Sequence, residues 1–262
     1  AGHKVISVSR SMSHDKNHIC IDLTNEKNVT ELGKKISNID IIIHCAAIAH
    51  GERPPKNYSV ADFNTTITKN LLKGFEGHQS HWIFISSISV CGDLYSESQI
   101  PITFSPKSAD NYGFGKIRDE NLLISRCKYL DILRLMPVYD NVNLQDIKKR
   151  VFLPKTNIKI IIRPSPLYSI CNIEKVLSAV QKSMNYSCGQ RIAHVGDSQP
   201  ISQNELASWF TGKAILVPQL LFKFLFFLIP KKLILFRKIA FMLKKLGLNN
   251  IYEIGVKEIH LK

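Results

Sequence analysis

The sequence predicts an α/β fold, a doubly wound parallel sheet followed by a smaller C-terminal lobe, and three observations lead there. Over the first two thirds, short β-branched apolar runs alternate with longer amphipathic segments, the pattern of a parallel sheet covered by helices. From about Arg163 onward that alternation fades. A chain of 262 residues, 45% hydrophobic and 21% charged, can bury one substantial core with an appended lobe and leaves little room for long disorder.

In chain order, strands are predicted at 4–8, 18–21, 39–45, 82–86 and 130–135, with a further apolar run at 158–162, each short and bounded by polar turns. Helices are predicted at 29–36, 60–75, 112–127 and 173–184 from their apolar periodicity. Between Cys91 and Asn111 the chain is rich in Ser, Pro and Asp and reads as a loop over the carboxyl end of the sheet, where open α/β sheets bind ligands. The division falls after residue 162, with 163–262 as the smaller lobe.

Residues 214–229 read AILVPQLLFKFLFFLI, interrupted by Pro218 and Lys223 and short for a spanning helix of about 20 apolar residues. A second apolar-basic stretch covers 233–246. The favoured reading is two helices packed on the smaller lobe. The alternative is a basic amphipathic tail in peripheral contact with a membrane.

The six cysteines lack the close spacing of a zinc or redox motif, so no metal site is expected. Cys20, Cys45 and Cys127 lie in or beside apolar runs and are expected to be buried and reduced, as in a cytoplasmic protein. The Asn-x-Ser/Thr matches at Asn28, Asn57, Asn64 and Asn185 then read as chance. The start, Ala-Gly-His-Lys-Val, has no basic-then-apolar signal and reads as the inside of a longer sequence. Of the net charge of +14, ten Lys/Arg against two Glu place +8 from Lys213 onward. The remainder carries no basic stripe with interleaved aromatics, so no nucleic-acid partner is expected.

Tyr112 and Lys116 stand four apart and share a face if their segment is helical. A phenol beside a fixed ammonium is expected to lose its proton more readily and to serve as general acid or base. Alone, this spacing more often marks a solvated surface pair. Upstream, the apolar run Trp82-Ile83-Phe84-Ile85 ends in Ser86-Ser87, hydroxyls at a strand's carboxyl end. Ser87 could hold a carbonyl or alcohol oxygen while Tyr112 moves its proton. Small polar residues capping a strand end are the plainer reading.

From His3 to Asn204 the chain resembles the extended short-chain dehydrogenase/reductases, the NAD-dependent epimerase/dehydratase family of nucleotide-sugar enzymes. Seven segments match in order: His3 to Arg10, Cys20 to Thr24, DIIIHCAA from Asp40, Asn64 to Asn70, FISSISVCG, YGFGK and Leu133 to Tyr139. The resemblance implies a Rossmann-like fold with a substrate-binding C-terminal lobe, an NAD or NADP cofactor and a nucleotide-sugar substrate. It leaves a homodimer open. It implies Ser87, Tyr112 and Lys116 as the catalytic triad, with Lys116 also gripping the nicotinamide ribose. Asp22 and Leu23 would border the adenine, Ala46 and Ala47 would lie against the cofactor, and Pro137 and Val138 would flank the nicotinamide. Arg10 stands where an acid for the ribose hydroxyls is usual, which points to the phosphate of NADP. A turn cap at Asp22 and a solvated strand end at Arg10 are equally good readings of the residues themselves.

The chain departs from the family at Cys91, Gly115 and Asp140, where Tyr, Ser and Gly are usual. It also lacks the Gly-x-x-Gly-x-x-Gly turn that opens the family's fold and holds the cofactor pyrophosphate, so the nucleotide-binding portion is expected to be incomplete at its start. Ile88 and Ser89 replace the Asp-Glu pair of the dehydratases, which leaves 4-epimerase or ketoreductase chemistry. The AAIAH run ending in His50 resembles a subgroup of surface-polysaccharide pathways acting on UDP-linked N-acetylhexosamines. The sugar would contact the lobe near Arg163 and Tyr168, unless these are ordinary surface and core residues. A non-catalytic remnant or nucleotide-sensing regulator on the same fold is the competing reading.

Overall fold

The computed structural model describes residues 2–36, 38–48, 53–92, 98–108, 110–186, 188–227, 243 and 245–259. Two short parallel strands open the chain, β1 (Ser7–Ser9) and β2 (His18–Cys20), followed by α1 (Glu26–Lys35) and β3 (Ile41–His44). Then come α2 (Val60–Gly74), β4 (His81–Ser87), a 3-10 turn at Ile88–Cys91, α3 (Asn111–Arg126), β5 (Leu130–Leu135) and β6 (Val138–Tyr139). Next are α4 (Gln145–Lys148), β7 (Ile158–Arg163), β8 (Leu167–Tyr168), β9 (Cys171–Asn172) and α5 (Ile173–Met184). The chain continues through β10 (Gln190–Val195), β11 (Ile201–Ser202), α6 (Gln203–Ser208), β12 (Lys213–Pro218), α7 (Gln219–Phe227) and β13 (Gly255–Glu258).

The central sheet has the order β13-β10-β5-β4-β3. All its pairings are parallel except β10 with β13. Along β4, Trp82 and Phe84 bury into a core shared with α1, α2 and α3, while Ile83 buries on the opposite face among residues that include Val176 of α5. That period-two division is what a strand covered by helices on both faces requires.

Local chemistry sets the helix starts. Asn25, Ser59, Asp110 and Asn172 each place a side-chain oxygen on a backbone N–H of the first turn. The helices then approach closely. A Cβ on Gly33 would lie 1.7 Å from the Gly74 carbonyl oxygen, and one on Gly115 would lie 2.8 Å from the Ala61 Cα. Glycine at 115, a departure from the family pattern, is therefore what lets α3 sit against α2.

Several expectations are corrected. Residues 214–229 do not open with a helix, because β12 pairs in parallel with β7 before α7 begins. Residues 233–242 lie outside the described residues, as does His50. Two strands from beyond residue 162, β10 and β13, belong to the central sheet, while β7, which runs across that position, pairs outside it. Cys127 is buried, but Cys20 and Cys45 are exposed. Cys45 follows β3, whose outer edge carries no strand among the described residues, since β1 pairs with β2 alone. Ile43 of β3 is 42% exposed.

Candidate active site

The parallel strands β3, β4, β5 and β10 of the central sheet deliver their carboxyl ends to one side of that sheet, β1 and β2 form a separate pair, and the expected site residues follow strand ends in both. Arg10 comes after β1, Asp22 and Leu23 after β2, Ala46 and Ala47 after β3, and Pro137 and Val138 after β5. Ser87 closes β4 and is the N-cap of the following 3-10 turn, its Oγ accepting from Ser89 N at 3.2 Å. Asp110 starts α3, and the first turns of that helix carry Tyr112 and Lys116.

The fold brings Ser87, Tyr112 and Lys116 together. Ser87 lies near enough to the Tyr112 hydroxyl to oppose the rise in its pKa. Lys116 is 3% exposed, with Nζ donating to the Ile85 carbonyl at 2.8 Å, 4.5 Å above the Phe84 ring and 5.9 Å from the centre of the Tyr112 ring. Burial lowers Lys116 to about 8, partly opposed by Asp119 and Glu120. Burial also pushes the Tyr112 hydroxyl up to about 12, with Asp110 adding to the rise and Ser87 opposing it. The expectation that Lys116 makes this phenol more acidic is overturned, because the ammonium is held against a carbonyl and an aromatic face while desolvation governs the hydroxyl. Tyr112 is thus a protonated donor at neutral pH.

Around the triad lies a buried polar network whose acids, Asp119 and Glu120, and whose Arg134 the sequence did not single out. Ser86 does not join Ser87 in the site. Its Oγ donates to Glu120 Oε1 at 2.6 Å, and Glu120 takes both a 3.1 Å and a 2.7 Å bond from Arg134, all three side chains being buried. Asp119 is 1% exposed, with one carboxylate oxygen lacking a hydrogen-bond partner, and burial raises it to about 6. His44, against Thr68 at 3.0 Å, is lowered to about 3, first by burial and then by Lys116. Asn64 clamps the loop after β3, accepting from Ile48 N at 2.8 Å and donating to Ile48 O at 3.2 Å. The only sequence signal for these was a buried-helix spacing of acids one turn beyond Lys116.

Of the remaining expected residues, Asp22 accepts from the backbone and hydroxyl of Thr24, and so caps a turn, while Arg10 is exposed. Leu23 is buried, its carbonyl bonded by Asn70, and Pro137 accepts from Cys171 N. Tyr168 is a core residue, fully buried with its hydroxyl on the Leu246 carbonyl, whereas Arg163 is exposed.

The site suits the nicotinamide half of a dinucleotide. Among the described residues Lys116 makes one hydrogen bond of the three its ammonium offers, which leaves N–H groups for a ribose diol. Ala46 and Ala47 follow the end of β3, and Asn64 pins Ile48 just beyond them.

A family model described as NAD dependent epimerase/dehydratase family matches residues 1–137, more than half of the chain. The chain belongs to the NAD dependent epimerase/dehydratase family. Comparison with curated protein sequences finds no match. Among solved structures, the UDP-Glc/GlcNAc 4-epimerase of Campylobacter jejuni superposes with a TM-score of 0.64 at 19% identity, covering 77% of this chain and 71% of that one. The UDP-glucuronic acid 4-epimerase of Bacillus cereus in complex with NAD gives 0.63 at 17% identity, covering 83% and 79%. The dTDP-4-dehydrorhamnose reductase of Bacillus anthracis in complex with NADP gives 0.58 at 18% identity, covering 76% and 72%. At these identities the likeness is one of fold. The NAD-dependent family and the α/β fold therefore stand as the sequence predicted.

Proposed function

We propose that the protein is an NAD(P)-dependent epimerase or ketoreductase acting on a UDP-linked hexose or N-acetylhexosamine in surface-polysaccharide synthesis, in the cytoplasm, with Ser87, Tyr112 and Lys116 as its catalytic residues. The observation that carries this reading is buried Lys116, 5.9 Å from the centre of the Tyr112 ring and bonded to the strand that Ser87 closes, at the carboxyl end of a parallel sheet.

In the proposed mechanism, Ser87 holds the sugar oxygen and Tyr112, protonated at neutral pH, gives its proton to that oxygen in the reducing direction. The oxidising half of an epimerisation runs the other way and requires Tyr112 first to release its own proton to solvent, with the positive charge of Lys116 nearby favouring the phenolate that then accepts the sugar hydroxyl proton. A bound nicotinamide supplies or accepts the hydride. Lys116 would hold its ribose, Pro137 and Val138 would flank the ring, Ala46 and Ala47 would lie along the nucleotide, and Asp22 and Leu23 would border the adenine. Arg10, exposed after β1, is placed for the extra phosphate of NADP. Residues 1–162 hold the cofactor and 163–262 supply the substrate side, apart from β10 and β13 of the central sheet. A homodimer is the assembly proposed.

The test is nicotinamide absorbance and product sugar analysis with UDP-N-acetylglucosamine, UDP-glucose and a dTDP-4-keto sugar, each with NAD, NADH and NADPH. Turnover of a UDP-sugar with epimer formation or hydride consumption supports the reading. Turnover of the dTDP sugar alone would overturn the substrate assignment.

A further inference from the structure

A cavity of about 620 Å³ opens at the amino-terminal end of the central sheet, between the ends of α2 and α3. Trp82, near the start of β4, lines it, whereas Ser87 closes the same strand about 17 Å further on. The cavity is therefore separate from the candidate active site. Its size falls within the roughly 300–1,000 Å³ that small-molecule sites occupy.

Aromatic and basic residues share its lining. Phe75 and Trp82 are buried, and His78 and Tyr129 are half-buried. The exposed cations Lys69, Lys73, Arg126 and Lys128 line it as well, against a single acid, Glu76. Lys73 is taken up by Glu26 at 2.6 Å, but Lys69, Arg126 and Lys128 pair with no acid among the described residues.

Helix ends account for only part of this charge. Lys73 and Arg126 stand in the last turns of α2 and α3, where a cation complements the carbonyl end of a helix. Lys69 lies a turn earlier and Lys128 beyond the helix. The carbonyls that would repel an anion are already occupied. Those of Ile124 and Cys127 accept from the Gln190 side-chain amide at 2.9 and 2.6 Å, and that of Leu71 accepts from Phe75 N. Burial pushes the Cys127 thiol up to about 12, so it adds no negative charge to the lining. The indole N–H of Trp82 makes no hydrogen bond among the described residues and is not fully enclosed, so it is a donor open to the cavity.

Unpaired cations beside flat apolar walls suit a ligand that carries a phosphate at one end and an aromatic ring at the other. A bare anion would leave the walls unused, and an apolar ring alone would gain nothing from the cations. We propose that this cavity binds a nucleoside phosphate, its base among His78, Trp82 and Tyr129 and its phosphate on Lys69, Arg126 and Lys128. The site does not rest on the catalytic assignment.

The experiment titrates AMP, adenosine and inorganic phosphate into the whole protein. Thermal melting is read on the unaltered chain, and fluorescence on Trp209→Phe, which leaves Trp82 as the sole tryptophan. AMP should raise the melting temperature, quench Trp82, and bind about tenfold or more tighter than adenosine or phosphate alone. Arg126→Gln should weaken AMP binding about tenfold, and Lys69→Gln and Lys128→Gln about threefold each. Lys116→Met, altered in the active site, should leave the quenching unchanged. No quenching at millimolar AMP, or quenching that Arg126→Gln and Lys69→Gln leave intact, would overturn the inference. So would its loss in Lys116→Met, which would put the nucleotide in the active site. Adenosine or phosphate binding as tightly as AMP would also overturn it, since the cavity would then serve an apolar ring or a bare anion.

Discussion

Replacing Lys116 by Met should make the protein more stable at neutral pH while abolishing its chemistry. Lys116 is 3% exposed and its ammonium falls from 10.5 to about 8, first because burial strips it of water. At about 1.4 kcal/mol per pH unit, that drop places a burden of about 3 kcal/mol on the folded state wherever the lysine is charged in both states. Met fills a similar volume without a charge. Against the gain stands the lost hydrogen bond to the Ile85 carbonyl, worth about 1 kcal/mol, the attraction of Asp119 being already contained in the value of about 8. The net expectation is a gain of about 1–2 kcal/mol at pH 7. The sign of the pH dependence follows from the lowered value. Below 8 both states hold the proton and the full burden applies. Between 8 and 10.5 the unfolded chain holds a proton that the folded chain has released, so the unaltered protein gains stability as pH rises. Urea unfolding of both proteins from pH 7 to 10.5 measures the difference, in which the titrations of tyrosines and cysteines largely cancel. A Met variant less stable at pH 7, or a difference that does not change with pH, would refute the reasoning.

Other outcomes follow from the same geometry. Glu120→Gln should destabilise by about 3–5 kcal/mol, because it leaves the Arg134 guanidinium buried at 2% exposure without its counter-charge, and the double change to Leu and Met should recover most of that loss in denaturant titrations. Asp119→Asn removes a charge that supports Lys116, so the alkaline limb of kcat/KM, governed by Lys116 near 8, should move to lower pH. The same variant should abolish the fall in stability between pH 3.8 and about 6 that a carboxyl raised by burial produces as pH climbs. Gly33→Ala should lower stability by about 1–3 kcal/mol by melting, despite the better helix former, because its Cβ would meet the Gly74 carbonyl backbone.

The parts of the fold legible in the sequence are those whose pattern is local. β4 and β5 read plainly because their apolar residues bury on both faces, and α3 and α5 because their polar residues keep helical spacing and a cap. β10 does not read as a strand, since QRIAHV gains its place only by pairing with β5, where Arg191 meets Asp131 at 2.7 Å. β12 reads as the start of a helix because an apolar run has no period of its own, and pairing with β7 decides it. The sequence brings Ser87, Tyr112 and Lys116 into one site through ordered motifs. The direction of the Tyr112 proton equilibrium was not legible, because it depends on burial and on Asp110, which only the folded chain sets. The Ser86–Glu120–Arg134 network was equally hidden, its members lying 34 and 14 residues apart.

The central claim is that Tyr112, beside Ser87 and Lys116, moves the substrate proton. Its most direct test is Tyr112→Phe, assayed for UDP-sugar turnover by nicotinamide absorbance and for cofactor binding by fluorescence. Loss of the hydroxyl should lower turnover by about 10²–10⁴ while cofactor binding is unchanged. Turnover equal to that of the unaltered protein would contradict the account.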